Sequence, residues 1–220
     1  PGYGLLSENS QFARRCREEG IVWIGPPVEM LELFGDKSAA REAAALASVP
    51  VPRGIDRAIT LQECQTFFAS VADSGGIMIK AIAGAGGRGS RKVTAAEDVA
   101  DAFAACENEA KIAFGNGSLY VEEYIANARH IEVQILADKY GGVCELGERE
   151  CSVQRKFQKI VEIAPAAHLD PSMRKQIIDA SVRLAKKVGY SIIGTMEFLG
   201  QNDLYVFIEA NARLQVEHTV

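Results

Sequence analysis

An α+β fold is predicted from three observations. The first half reads as helices separated by short apolar stretches; after Gly117 the texture turns to strands; and a proline-led helix interrupts those strands before two more close the sequence. That order places a domain boundary near residues 120–126, and no internal repeat or low-complexity tract competes with it.

The elements follow in order. Ser7 to Glu19 reads as a helix that Gly20 stops, and "IVWIG" after it as a short strand ended by Pro26-Pro27. In "GDKSAAREAAALASV", Asp36 is placed to cap an alanine-rich helix that the prolines at 50 and 52 end. Thr60-Leu-Gln-Glu63 and Thr94-Ala-Ala-Glu97 both have capping-box spacing, in which hydroxyl and carboxylate each satisfy an orphan N–H. The first predicts a helix closed by Gly75-Gly76, the second a helix running to about Ala113. Between them lie an apolar strand, a glycine loop and a short segment around Arg91 to Val93.

"SLYVEEYI" and "HIEVQILAD" read as strands, the second alternating Ile131, Val133 and Ile135 with Glu132 and Gln134. "GGVCELGE", after a Lys139-Tyr-Gly-Gly turn, predicts a third. Asp170-Pro171 predicts an N-cap and a proline-led first turn; the helix carries Ile177, Ile178, Ser181, Leu184, Ala185 and Val188 on one face and stops at Gly189. "IIGTMEFLG" and "LYVFIEAN" are the last strands, joined at Gln201-Asn202-Asp203.

A net charge of −5 argues against a nucleic-acid footprint, which needs a basic face. No apolar run is long enough to span a bilayer. Five widely spaced cysteines without a C-x-x-C pair predict reduced thiols in a cytosol-like compartment. His130 and His168 stand apart from cysteines and from each other, so zinc is not predicted.

Glycines at 84, 86 and 89 satisfy the G-x-G-x-x-G spacing, but a dinucleotide turn must open directly into a helix, and here "SRKV" intervenes. A P-loop sequence is absent. A glycine loop between strands can still cradle phosphates with bare backbone N–H groups, and Lys80, Arg88 and Arg91 supply countercharge; a hairpin tip with solvated arginines remains the alternative.

Glu197 in "TMEFL" and Glu209 in "FIEAN" are carboxylates among apolar neighbours, costly unless neutralised, for which a hard divalent cation is suited; Asn211 offers another oxygen. A two-residue turn at Asn202-Asp203 would put Glu209 on the opposite face from Glu197, so a cation site requires an odd-length turn or a bulge. Ordinary alternation on a half-exposed sheet is the other reading. Arg213, Gln215 and Glu217 then alternate; a guanidinium fork suits a small planar anion, and a carboxylate beside it could act as base. The basic run "ERECSVQRKFQK" at 148–159 reads equally as a solvated face.

Taken together, "PGYGLLSEN", "GDKSAA", "IKAIAGAGGRGSR", "VEEYIANARHIEVQILAD", "GERECSVQRKFQK", "TMEFL" and "FIEANARLQVEH" closely resemble the biotin carboxylase branch of the ATP-grasp enzymes, in that family's order and over nearly the whole chain. The resemblance implies an ATP-grasp fold, two α+β subdomains gripping ATP, preceded by the tail of an N-terminal α/β domain. It divides the chain into 1–25, the end of the N-terminal domain; 26–51, a helical linker; 52–124, a lid subdomain; and 125–220, a core subdomain, with truncation at both ends. The implied chemistry is phosphorylation of bicarbonate by ATP to carboxyphosphate, which releases CO₂ to N1′ of biotin. A truncated fragment is expected to be inactive alone.

The resemblance also implies roles. Lys37 and Lys80 would contact ATP phosphates, with Gly84, Gly86, Gly87, Arg88 and Gly89 closing over them. Main chain from Glu122 and Glu123 to Ile125 would read the adenine, with His130 and Gln154 near the ribose. Glu197, Glu209 and Asn211 would hold two Mg²⁺ or Mn²⁺ ions; Lys159, Arg213, Gln215 and Val216 would bind bicarbonate; and Glu217 would be the base. Biotin would arrive on a carrier domain or protein, since no lysine sits in a Met-Lys-Met setting, and a carboxyltransferase part and a homodimer are implied partners. The compartment implied is cytoplasm, or alternatively the mitochondrial matrix. Two departures from the family pattern are the alanines at 83 and 85 of the loop and Phe157, where relatives carry histidine or another polar residue. Another ATP-grasp ligase, joining carboxylate to amine or forming a carbamoyl group, and a non-catalytic nucleotide-binding module are the alternatives.

Overall fold

The computed structural model describes residues 2–71, 74–84, 89–155 and 157–219. Along the chain, α1 (Ser10–Glu18), α2 (Val28–Gly35) and α3 (Lys37–Leu46) precede β1 (Gly54–Ile55), α4 (Leu61–Ser70) and the paired strands β2 (Ile77–Ala81) and β3 (Ser90–Val93). Next come α5 (Val99–Phe114), β4 (Leu119–Glu123), β5 (Arg129–Ala137), β6 (Val143–Arg155) and β7 (Gln158–Ile163). The chain continues through α6 (Pro171–Val188), β8 (Ile192–Gln201) and β9 (Leu204–Asn211) to a 3₁₀ turn at Val216–Thr219. Two compact units emerge: Pro52–Ala128 with Gln154–Lys159, and Pro1–Val51 with Arg129–Val153 and Ile160–Val220.

The first of these holds an antiparallel sheet in the order β1-β4-β2-β3, with α4 and α5 burying Cys64, Val71, Cys106 and Ala110 together with Ile77, Ile79 and Val121 of the sheet. The Thr60 capping box forms as expected: Thr60 Oγ1 accepts from Glu63 N at 3.3 Å and Glu63 Oε2 accepts from Thr60 N at 2.8 Å. Burial pushes the Cys64 and Cys106 thiols up to about 11, so both behave as inert core groups. Gly76 must be glycine, because its φ is +120° and a Cβ there would stand 2.2 Å from Val93 O. The second box does not form. A 3₁₀ turn at Ala96–Asp98 leads into α5, with Asp98 N donating to Ala95 O, so Thr94 lies outside the helix and cannot cap it.

The other unit is built on an antiparallel sheet in the order β7-β6-β5-β8-β9. On one face Ile131, Val133, Ile135, Met196, Phe198 and Phe207 meet Ile177 and Leu184 of α6, each fully buried aliphatic side chain contributing about 1.5–3 kcal/mol. Asp170 caps α6 by accepting from Ser172 N and Met173 N, and Ser181 fits its buried face because Oγ donates to Ile177 O at 2.9 Å. Tyr190 crosses so close to Gly194 that a Cβ there would lie 2.0 Å from its hydroxyl, which donates to Ile193 O at 3.0 Å. Asp36 caps α3 through Ser38 N and Ala39 N.

Three expectations change. Residues 21–25 form no strand: Ile21, Val22 and Ile24 are exposed, while Trp23 donates to Pro26 O at 2.9 Å and meets Phe12 edge-on. Pro27 does not merely break the chain but stands at the N-cap of α2, where a missing N–H costs nothing. Strand β6 runs to Arg155, so the basic run is largely strand, with Glu148, Arg149 and Cys151 buried rather than solvated.

Candidate active site

Strand register carries the site. The turn between β8 and β9 has two residues, Asn202 and Asp203, and alone would turn Glu209 away from Glu197. A bulge at Ile208 restores the match, so Phe198 opposes Phe207 while Glu197 opposes Glu209. Glu197 also opposes Glu132 on β5, and Glu132 opposes Arg149 on β6. Directly opposed residues share a face, so Arg149, Glu132, Glu197 and Glu209 form one row across four strands on the face away from α6. Gln134, Thr195 and Asn211 make the next row. This polar face is deeply buried: Glu132 is 0% exposed, Glu197 2% and Arg149 3%.

Buried charge demands partners, and each is present. Glu197 is held from both sides, by His130 Nε2 at 2.6 Å and by Asn211 Nδ2 at 2.5 Å. Glu209 is more open, with Lys37 Nζ at 4.0 Å from its Oε2. Lys37 is the first residue of α3, where the helix already presents its positive end, so cationic charge is concentrated beside the carboxylates. Arg149 donates from Nε to Glu132 at 2.5 Å, from Nη1 to Gln134 Oε1 at 3.1 Å and from Nη2 to Gln215 Oε1 at 3.2 Å.

Beyond β9, Arg213 is fixed by Glu8, whose Oε2 accepts from its Nε at 2.9 Å while Oε1 accepts from Ala212 N at 3.1 Å. Nη2 donates to Asn211 Oδ1 at 3.2 Å and Nη1 to Leu214 O at 3.3 Å. One N–H on each terminal nitrogen has no acceptor among the described residues, a fork suited to a planar anion. Gln215 is 3% exposed, Val216 is exposed, and Glu217 is half-buried in the terminal 3₁₀ turn.

The remaining candidates fall in the unit containing the four-stranded sheet. Lys80 on β2 pairs with the buried Glu122 of β4, and Glu123 accepts from Arg53 Nε at 2.7 Å. Ile125 follows β4 half-buried, and Gln154 and Lys159 are half-buried on β6 and β7. Gly84 N donates to Ala81 O at 3.0 Å and Gly89 N to Glu109 Oε1 at 3.3 Å, so both amides are engaged within the unit. Gly86, Gly87 and Arg88 lie outside the described residues. Phe157 occupies the tight β6–β7 turn, half-exposed with φ +64°.

The sequence reading missed Glu8 and Glu132 and saw Arg149 only within a charge run. A charged pair placed to face one another on adjacent strands was the available signal for Glu132 and Arg149. The oxygen-rich set Glu197, Glu209 and Asn211 fits a hard divalent cation, and Thr195 Oγ1, buried opposite Asn211, has no hydrogen-bond partner among the described residues. Glu132, Cys151 and Glu162 also gather their ligand atoms within 4.8 Å, but the Arg149 guanidinium sits on Glu132.

Residues 36–220 match the family described as carbamoyl-phosphate synthase L chain, ATP binding domain, and residues 1–31 match the biotin carboxylase N-terminal domain. Pyruvate carboxylase of Bacillus subtilis (strain 168) is 52% identical over all of this chain, which spans 19% of that relative's length. A biotin carboxylase–β,γ-ATP complex from Campylobacter jejuni superposes with a TM-score of 0.93 at 43% identity, covering all of this chain and 49% of that one. The biotin carboxylase domain of 2-oxoglutarate carboxylase from Hydrogenobacter thermophilus, described with MgADP, ADP and bicarbonate, gives 0.92 at 44% identity, again with 49% of that chain covered.

Proposed function

The chain belongs to the carbamoyl-phosphate synthase L chain ATP-binding family, in its biotin carboxylase branch with the ATP-grasp fold, and we propose that it forms the nucleotide- and bicarbonate-handling part of a biotin-dependent carboxylase. The observation that carries this reading is the bulge-aligned row of Glu197 and Glu209 with Arg213 and Gln215 immediately beyond it. An oxygen-ligand set and an anion fork lie side by side, as transfer of a phosphoryl group to a small oxyanion needs. The named contents of the Hydrogenobacter thermophilus structure support it.

In this reading residues 52–124 form the lid subdomain and 125–220 the core subdomain, after 1–25 and the helical linker 26–51. Lys37 and Lys80 neutralise ATP phosphates, with backbone at Glu122, Glu123 and Ile125 reading the adenine. Gln154 and His130 flank the ribose, His130 also fixing Glu197. Glu197, Glu209 and Asn211 would hold the divalent ions, whose positive charge offsets the negative charge of the triphosphate. Lys159, Arg213, Gln215 and Val216 orient bicarbonate, and Glu217 removes its proton. The bicarbonate oxygen then attacks the γ-phosphorus and ADP leaves; the carboxyphosphate formed breaks into phosphate and CO₂, and N1′ of biotin bonds the CO₂ carbon as its proton passes to that phosphate. Exclusion of water keeps that intermediate from hydrolysis. A biotin carrier and a carboxyltransferase part of the same enzyme are the implied partners, in bacterial cytoplasm or mitochondrial matrix.

Bicarbonate-dependent ATP hydrolysis by the full-length carboxylase, with and without free biotin, tests the reading. Glu217→Gln is expected to lower kcat by about 10²–10⁴-fold, the usual contribution of a positioned base. Full activity in that variant would remove Glu217 from the role.

A further inference from the structure

We infer that Arg149 is a positioning residue that decides which end of the Gln215 carboxamide meets the anion. This rests on the proposed role of Gln215 in binding bicarbonate. A carboxamide has a donor end and an acceptor end, and only the donor end can bind an anion. Left to itself, the group could present either. Arg149 has donors only, and its Nη2 lies 3.2 Å from Gln215 Oε1, so the oxygen must face the guanidinium. The amide Nε2 therefore points away from the guanidinium, on a residue that is only 3% exposed.

Arg149 is in turn immobile. Glu132, itself 0% exposed, fixes its Nε, and Gln134, 5% exposed, fixes its Nη1. Gln134 is anchored to the sheet by donating from Nε2 to Gly194 O at 2.9 Å. A chain of oriented groups thus runs from β8 through β5 and β6 to the segment after β9, each link allowing one orientation. Lysine at 149 could still neutralise Glu132, but its single nitrogen cannot serve three acceptors in fixed directions. The carboxamide of Gln215 would then be free to turn.

The test uses the full-length carboxylase and reads the KM for bicarbonate and the KM for MgATP in bicarbonate-dependent ATP hydrolysis. Four proteins are compared: the parent, Gln215→Ala, Arg149→Lys, and the double variant. Loss of one hydrogen bond to a charged group predicts a rise in the bicarbonate KM of about tenfold in each single variant, with MgATP KM unchanged. Because Arg149 acts through Gln215, the double variant is expected to be no worse than Gln215→Ala. A bicarbonate KM that does not move in Gln215→Ala overturns the anion-binding role and the inference together. A shift in Gln215→Ala with none in Arg149→Lys, or effects that multiply in the double variant, overturns the positioning role alone. Should Arg149→Lys fail to fold, the neutral pair Arg149→Gln with Glu132→Gln takes its place with the same arms.

Discussion

On one face of the five-stranded sheet, Ile131, Val133, Met196, Phe198 and Phe207 pack beneath α6; on the other, at the alternate positions, Glu132, Gln134, Arg149 and Glu197 are buried as deeply. The first face is held by area removed from water and tolerates exchange among apolar groups of similar volume. The second is held by direction: Glu132, Gln134 and Arg149 are joined to one another, and Glu197 to His130, by oriented hydrogen bonds, so that replacing one alone strands another. The difference teaches that burial on this sheet serves two ends. One face provides stability. The other provides an exact arrangement of charge, at an energetic cost that the first offsets.

The sharpest test exchanges one character for the other. Glu132→Leu leaves the Arg149 guanidinium buried without its carboxylate and is expected to destabilise the chain by about 3–5 kcal/mol in urea denaturation. Glu132→Leu with Arg149→Met replaces that ion pair by an apolar pair and is expected to recover most of the loss, because a well-packed apolar pair often equals a buried ion pair. A double variant as unstable as the single would break the comparison, since the row would then matter for shape rather than charge. On the apolar face, Ile131→Val removes one methylene and is expected to cost about 1 kcal/mol by the same measurement, with no dependence on pH.

What could be read from the sequence follows the distance over which each feature is decided. Asp36, Thr60 and Asp170 cap their helices through atoms two or three residues away, and all three were legible. Thr94-Ala-Ala-Glu97 has the same letters, yet a 3₁₀ turn started the helix after it, a choice made by backbone and packing rather than by spacing. The alternation of Ile131 with Glu132 revealed a strand correctly. Its polar face is buried because Arg149 arrives from 17 residues away, which no local pattern states. Glu197, Glu209, Asn211 and Arg213 stood out as a group, but the bulge at Ile208 that aligns the first two could be named only as a requirement. Glu8 was invisible, since its partner Arg213 lies 205 residues away.

The smallest effect concerns a charged pair on the apolar side. Arg129 and Glu150, on β5 and β6, share the face of Ile131, toward the sheet edge, with Arg129 Nε 2.9 Å from Glu150 Oε1. The Arg129 hydrogen bonds hold the Glu150 carboxyl below its ordinary value of 4.5, with Ser152 and the nearby His168 acting in the same direction and partial burial opposing them. A carboxyl with a lowered folded-state pKa stabilises the fold above the ordinary carboxylate range, and that contribution disappears as pH falls through the lower folded value. Because the pair is partly open to water, the term is expected to stay below about 1 kcal/mol. Urea midpoints should therefore fall slightly more steeply on acidification in the parent chain than in Glu150→Gln, which has no proton to gain there. Identical slopes would show that the pair adds nothing, leaving even the edge of that face governed by packing alone.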